Sequence, residues 1–179
     1  MAAVALTAAA SLALWFVLQT PLRENARTRS AAKVESSEGT VWVRGTDTPV
    51  SRFLLADYAV PVGSGLRSSA NGRASLRLSS GHSLTLDPLT QLRLLGGDRL
   101  ALDGGLIHVD SGRIRGGIAE LTVTTPHGDV RGTEMQVEIR LDDDGLRLRV
   151  LEGAIDLLRQ DGDQRLVKGR ELTVDPGRR

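Results

Sequence analysis

The sequence lacks cysteine and contains few aromatic residues, and both shortages limit the chemistry it can carry. Without cysteine, the chain cannot form disulfides, thiolate zinc sites or a cysteine nucleophile. Aromatic residues make up only 3% of the chain, which is too few for base-stacking platforms or aromatic sugar-binding faces.

The sequence also lacks an excess of charge of either sign, because 23 Lys and Arg residues stand against 22 Asp and Glu residues. Proteins that bind nucleic acid neutralise phosphates and need a clear basic excess, so we expect no nucleic-acid partner. A length of 179 residues favours one ordinary folded domain and little more.

An uncharged apolar run, "AAVALTAAASLALWFVL", extends from Ala2 to Leu18. A helix needs roughly 20 apolar residues to span a bilayer, and this run lies at the short end of that range. Trp15 and Phe16 lie near its end, where aromatic interface anchors occur. A cleavable signal peptide and a buried soluble helix are the alternatives, but no small-x-small cleavage site follows the run. We predict a transmembrane anchor at residues 1–20.

Residues 21–38 are polar with little periodicity, and we predict that they form a tether. Basic residues follow the predicted helix, among them Arg23, Arg27 and Arg29. The positive-inside rule would then leave the bulk of the chain in the cytoplasm. One short flank is a weak basis for that rule, so the residues alone leave the orientation open.

From residue 39 onward, short runs alternate between apolar and polar residues, which is typical of β-strands. In "GRASLRLSSGHSLTLDP" (Gly72–Pro88), the leucines fall on one face of two runs that a glycine-containing turn separates. Segments 98–103 and 105–110 are predicted as separate strands, and so are 146–153 and 154–159. No stretch has helical periodicity. We therefore predict an all-β domain at residues 39–176, a compact or solenoid-like β-sandwich of about twelve short strands.

The pair of strands around "DDDG" (Asp142–Gly145) allows a prediction of register. A four-residue loop sets Leu141 opposite Leu146 and keeps the apolar faces of both strands together. The same register places Glu138 opposite Arg149, an opposite-charge pair across the strands.

Three motifs were considered as chemical sites. The segment "VDSG" (Val109–Gly112) is similar to an aspartic protease half-site, but Arg113 follows where that site has a small residue, and we interpret the segment as a strand-ending turn. The three histidines have no metal-ligand spacing, and we expect them to be surface or partly buried. "DDDG" lacks the spacing of a calcium loop. We predict no catalytic, cofactor-binding or metal-binding residues and no enzymatic activity.

The order of these segments resembles the FecR domain. The resemblance rests on "VGSGLRSSANGRASLRLSSGHSLTLDPLTQLRL" (Val62–Leu94) and "LTVTTPHGDVRGTEMQVEI" (Leu121–Ile139), the second being the more distinctive. "VLEGAIDLL" (Val150–Leu158) and "VKGRELTV" (Val167–Val174) are similar to the steps that follow in the family. The "VRGT" element is expected to form a hairpin, and its spacing to the later "EG" is fairly specific. Together these segments extend over about three quarters of the chain.

The resemblance implies a regulatory function. FecR-type proteins are single-pass inner-membrane proteins whose N-terminal cytoplasmic segment binds an extracytoplasmic-function sigma factor. Their periplasmic β-domain receives a signal, typically from a ferric-siderophore receptor in the outer membrane. The resemblance thus implies that residues 39–176 lie in the periplasm and that a sigma factor or an envelope receptor is the partner. We expect neither the sigma-binding segment nor the receptor-contacting region within these 179 residues. The alternative is an envelope-associated structural or binding β-module without a sigma-factor partner.

The resemblance and the turn chemistry together give a set of expected structural residues. Pro126 should end a strand because it cannot donate to a sheet ladder, and Gly128 and Gly132 should supply backbone freedom. Arg131 is expected to bind a carboxylate such as Glu152 or to cap backbone carbonyls, so Arg131→Ala should lower the melting temperature. Ligand binding is the alternative role, and an unchanged melting temperature with lost signalling would favour it. The complete signature set is Pro126, Gly128, Arg131, Gly132, Thr133, Glu152, Gly153 and Gly169.

Overall fold

The computed structural model describes residues 29–46, 50–112 and 119–176, and the regular structure in these ranges consists of β-strands. The predicted anchor at residues 1–20 lies outside the described residues. Within the described ranges, no helix has the length and apolar character needed to cross a bilayer. The strands are β1 (Ser30–Glu38), β2 (Val41–Arg44), β3 (Ser51–Phe53), β4 (Ala59–Pro61), β5 (Gly65–Ser68), β6 (Arg73–Leu78), β7 (Ser83–Leu86), β8 (Gln91–Leu94), β9 (Arg99–Asp110), β10 (Leu121–Thr125), β11 (Gly128–Gly132), β12 (Met135–Asp142), β13 (Gly145–Leu158), β14 (Gln164–Val167) and β15 (Glu171–Val174).

The strands are hydrogen-bonded into two connected sheets. Sheet A has the order β4-β1-β6-β7-β9-β12-β13-β15, and sheet B has the order β3-β2-β5-β8-β9-β10-β11-β13-β14. Among the described strands, only β9 and β10 pair in parallel. The described strands therefore do not form a solenoid of stacked parallel strands. Their antiparallel pairing is compatible with the sandwich form of the prediction.

The core contains apolar side chains from both sheets. Alternate residues of β6, β7 and β12 are buried, as the period of two predicted. One hydrophobic cluster unites these residues with others from the strands of sheet B. Its largest fully buried side chains are Leu76, Leu78, Leu84, Leu86, Leu92, Leu94, Leu100, Leu102, Ile107, Leu121, Met135 and Ile139.

Two long strands, β9 and β13, belong to both sheets. The first part of β9 pairs with β8 and β10, and its later part pairs with β7 and β12. Gly105 lies between these parts with a φ of 96°. In β13 the change of partners occurs at Gly153, which has a φ of 75°. The prediction of two separate strands at each place was wrong, because glycine bends the strand without ending it.

The predicted tether was wrong in its second half, because residues 30–38 form β1 in the interior of sheet A. This strand pairs with β6 on one side and with β4 on the other, and it buries Ala31, Ala32 and Val34. A bulge between Val34 and Ser36 interrupts its alternation, which hid the strand in the sequence. Together with the three-residue strands β3 and β4, it raises the count in the described ranges above the predicted twelve.

The predicted hairpin register around Asp142–Gly145 is confirmed. Leu141 pairs with Leu146, and Glu138 pairs with Arg149 across β12 and β13. Both leucines are buried, so the short loop does keep the two apolar faces together.

Candidate functional site

The segment "TPHGDVRGT" at residues 125–133, here named the signature segment, begins with a tight turn between β10 and β11. Pro126 directly follows the end of β10, as predicted. The Thr125 hydroxyl donates to the carbonyl oxygen of Gly128 at 2.8 Å and accepts from the backbone N–H of His127 at 3.1 Å. The expected hairpin at "VRGT" was wrong, because residues 130–132 lie within β11 and the chain reverses at the preceding turn.

Three of the signature glycines, Gly128, Gly132 and Gly153, lie close to atoms of neighbouring residues in the fold. A Cβ on Gly128 would stand 2.6 Å from the carbonyl oxygen of Leu158, and one on Gly132 would stand 2.5 Å from the sulfur of Met135. A Cβ on Gly153 would overlap the carbonyl oxygen of Glu134. The close approaches of Gly132 and Gly153 lie where β11, β12 and β13 meet, so "VRGT" and "EG" lie near each other in the fold.

Arg131 lies away from the carboxylate expected to bind it. Its guanidinium stands 3.8 Å from Asp129 on its own strand, whereas Glu152 pairs with Lys168 at 2.5 Å. The predicted contact between Arg131 and Glu152 is therefore wrong. Within the described residues, the Nε atom of Arg131 is buried without a hydrogen-bond partner, although the side chain as a whole is 38% exposed. The expected loss of stability in Arg131→Ala thus depends on the packing of its stem rather than on an ion pair.

His82 is fully buried beside the signature segment, although it was expected at the surface or partly buried. Its Nε2 atom lies 3.1 Å from the carbonyl oxygen of Thr133, and its Nδ1 atom lies 3.0 Å from the Ser80 hydroxyl. Because a carbonyl can only accept, we assign the proton to Nε2, so that Nδ1 accepts from Ser80. Burial lowers the pKa of His82, and its contact to Thr133 and the nearby charge of Asp110 oppose that shift less strongly. The imidazole therefore stays neutral and joins the β6–β7 turn to "VRGT".

The "VDSG" segment ends a strand, as predicted, and its polar groups serve backbone contacts. The Asp110 carboxylate accepts from the backbone N–H of Gly112 at 2.6 Å and from the Gln136 amide at 3.1 Å. The Ser111 hydroxyl accepts from the backbone N–H of Met135 at 3.0 Å. These bonds fix the end of β9 against the start of β12.

A row of charged side chains crosses the outer face of sheet A. His108 lies 3.0 Å from Asp87 and 3.6 Å from Glu138. Arg73 contacts Asp87 at 2.8 Å, and Arg149 contacts Glu138 at 3.8 Å. Carboxylates alternate along the row with the two arginines and the histidine, which suits solvent-exposed cross-strand pairs. In the part of the chain that the structure describes, no group of three His, Asp or Glu side chains could hold a metal ion.

An open cleft of about 870 Å³ lies on the outer face of sheet B. Its walls include Trp42 and Arg44 from β2, Arg67 from β5 and Arg93 from β8, around Gly65. Sequence reasoning missed this site, because its residues come from strands that pair only in the folded sheet. The one available signal was the alternation in "TVWVR", which puts an aromatic and a basic residue on the same face.

The family model described as FecR protein matches residues 64–156. That is just over half of the chain, from the start of β5 into β13. The chain belongs to the FecR family. The matched part of the FecR domain contains His82, the "VRGT" strand and Gly153, whereas Gly169, Trp42 and Arg44 lie outside it.

The fold of this FecR protein is similar to two crystal structures of a candidate anti-sigma factor from Parabacteroides distasonis ATCC 8503. The structure at 1.65 Å resolution is 15% identical with a TM-score of 0.55, and that at 2.50 Å is 14% identical with a TM-score of 0.54. In each comparison the match covers 63% of this chain and 55% of the other. At this identity the likeness shows a shared fold. No curated protein sequence matches the chain.

Proposed function

We propose that this FecR-family protein is a single-pass inner-membrane regulator whose β-domain lies in the periplasm and acts in sigma-factor-dependent signalling. The match of the family model to residues 64–156 carries the proposal. The apolar run at residues 2–18 supplies an anchor of suitable length, and the similar fold of a candidate anti-sigma factor agrees with this role. By the family resemblance, the incoming signal is of the iron-uptake type.

The arrangement of polar groups supports binding as the activity, with no catalytic step. His82, Asp110 and Ser111 each engage backbone groups or neighbouring side chains that hold strands together. The open cleft on sheet B offers a surface to a partner instead. A domain of this kind transmits a signal when a partner binds it more tightly in one state than in the other.

The proposal predicts a change in transcription when the gene is removed from its native host. Genes read by one extracytoplasmic-function sigma factor should change several-fold together, and the full chain supplied in trans should restore them. The measurement is the transcriptome with and without iron limitation. An unchanged transcriptome under both conditions would favour the alternative, an envelope-associated binding module without a sigma-factor partner.

The same proposal predicts the topology, which a pair of fusions after Arg179 can measure in the same host. A reporter that is active only outside the cytoplasm should work there, and a reporter that folds only inside should be silent. The reverse pattern is the one that the positive-inside rule alone predicts, and it would contradict the periplasmic location.

A further inference from the structure

The cleft on sheet B has a basic wall around an open floor. Arg44 and Arg93 lie directly across from Gly65 on the two neighbouring strands, and Arg67 follows two positions later on the same face. No atom lies within 4 Å of the point where a Cβ on Gly65 would stand. The floor between the three guanidinium groups is therefore free to receive another group.

The positive charge of this wall is only partly neutralised. Arg93 donates two hydrogen bonds to Asp103, at 2.9 and 2.8 Å. Within the described ranges, Arg44 and Arg67 form no ion pair. A planar guanidinium binds a carboxylate through two parallel hydrogen bonds, so these two residues favour carboxylate ligands.

Apolar side chains border the basic wall. Trp42 lies in one cross-strand row between Phe53 and Arg67. Phe53 is 68% exposed, and so is Leu89 at the other side of the cleft. Leu89 also has a φ of 59°, a left-handed conformation that is strained for leucine. Exposed apolar residues and a strained backbone at one cleft are typical of a binding surface.

The cleft ends at an open sheet edge. Among the described strands, β3 pairs only with β2. The backbone N–H of Leu54, just after β3, points toward β2 and donates to the carbonyl oxygen of Val41 at 2.8 Å. Because backbone groups alternate in direction along a strand, those of Ser51 and Phe53 point away from the sheet. They are available to a further extended segment.

We propose that this cleft binds an extended acidic segment of a partner protein, in which carboxylates alternate with apolar residues. The segment would cross the outer face of sheet B from the open edge at β3 toward Gly65, and every second side chain would face the sheet, with carboxylates at Arg44 and Arg67 and apolar groups on Trp42 and Phe53. The chain's own flanks at 21–29 and 177–179 are net basic, so neither flank complements the basic wall. The inference rests on the proposed signalling function only for the source of that segment, an envelope or receptor protein.

The test uses the full chain of 179 residues in a non-ionic detergent. The probe is a fluorescent seven-residue peptide with glutamate, phenylalanine, glutamate and valine at positions one, three, five and seven and serine between them, so that all four face the sheet. The matched control peptide replaces both glutamates by glutamine. Fluorescence anisotropy should show saturable binding of the acidic peptide and about tenfold weaker binding of the glutamine peptide. Equal binding of both peptides would overturn the proposal.

Three variants locate the binding. Arg67→Glu reverses one charge in the cleft, and Gly65→Glu fills the floor without a collision or a strained φ. Each should raise the Kd about tenfold, whereas Arg147→Glu, the same charge reversal on exposed sheet A, should change it less than about twofold. If Arg67→Glu and Arg147→Glu raised the Kd equally, the peptide would respond only to the overall charge, which would contradict binding in the cleft.

A second copy of the chain is the competing occupant, since it presents the acidic hairpin at residues 142–145. Sedimentation velocity should show no self-association that depends on Arg67. If Asp143→Asn and Arg67→Glu both dissociated a dimer, the occupant would be a second copy and the proposal of a separate partner would be wrong. If the peptide binds but removal of the gene does not change transcription, the proposed binding in the cleft stands and only the signalling role is refuted.

Discussion

Replacement of Gly153 by alanine is expected to lower the free energy of unfolding by about 3 kcal/mol or more. The left-handed conformation at a φ of 75° alone costs a residue with a Cβ about 1–2 kcal/mol. The added Cβ would also overlap the carbonyl oxygen of Glu134, and backbone atoms cannot move away as a flexible side chain can. Since β13 changes sheets at this residue, both sheets would have to shift.

Two glycines in the same domain provide matched controls for Gly153→Ala. Gly169 has a φ of 79° but no atom within 4 Å of its Cβ position, so Gly169→Ala should lose only about 1–2 kcal/mol. Gly65 has neither a positive φ nor a close neighbour at its Cβ position, so Gly65→Ala should change the free energy of unfolding by about 0.5 kcal/mol or less. Urea unfolding followed by far-ultraviolet circular dichroism measures all three. If Gly153→Ala lowered the free energy of unfolding no more than Gly169→Ala does, the added Cβ would not collide with the Glu134 carbonyl oxygen.

Stability should fall between pH 6.5 and pH 5 because His82 is buried in its neutral form. Burial lowers the pKa of His82 below its ordinary value in the folded state. As pH falls below about 6.5, the unfolded chain therefore takes up a proton that the folded chain does not. The contribution is fully present above the unfolded pKa and is lost below it, with a slope that approaches about 1.4 kcal/mol per pH unit.

His82→Gln isolates this effect, because its amide can still donate to the Thr133 carbonyl but cannot titrate. Its unfolding free energy should be about 1–3 kcal/mol lower at pH 7.5, since the Ser80 contact is disturbed, and should change little down to pH 5. His127→Gln, in the turn after β10, is the matched control for the same substitution at another histidine. A wild-type profile as flat as that of His82→Gln would contradict a neutral buried imidazole.

The sequence predicted those parts of the fold in which a local pattern decides the structure. The leucines of β6 and β7 alternate without interruption, and a short loop fixes the register of Leu141 and Leu146. In β1 the bulge after Val34 shifts the alternation, and the alanines before it have low β-propensity, so only the pairing with β6 reveals a strand. The sequence predicts strand ends near Gly105 and Gly153 because it cannot tell a bend within a strand from its end.

The candidate site was less predictable than the fold, because it depends on strands that are distant in sequence. Arg44, Gly65 and Arg93 meet only through the pairing of β2, β5 and β8. The burial of His82 likewise comes from Thr133, which is 51 positions away. The motif "VDSG" is similar to a protease half-site in sequence, yet its Asp110 and Ser111 side chains accept hydrogen bonds from backbone N–H groups.

The sharing of β9 and β13 between the sheets has a consequence for how the chain folds. β13 hydrogen-bonds to β11, β12, β14 and β15, so neither sheet is complete until this late segment has been synthesised. Pairs that are distant in sequence, such as Ala32 and Leu78 across β1 and β6, slow folding because long loops must close before they are stabilised. The domain should therefore fold late and as one cooperative unit, and chaperones would have to protect its open strand edges until β13 is available.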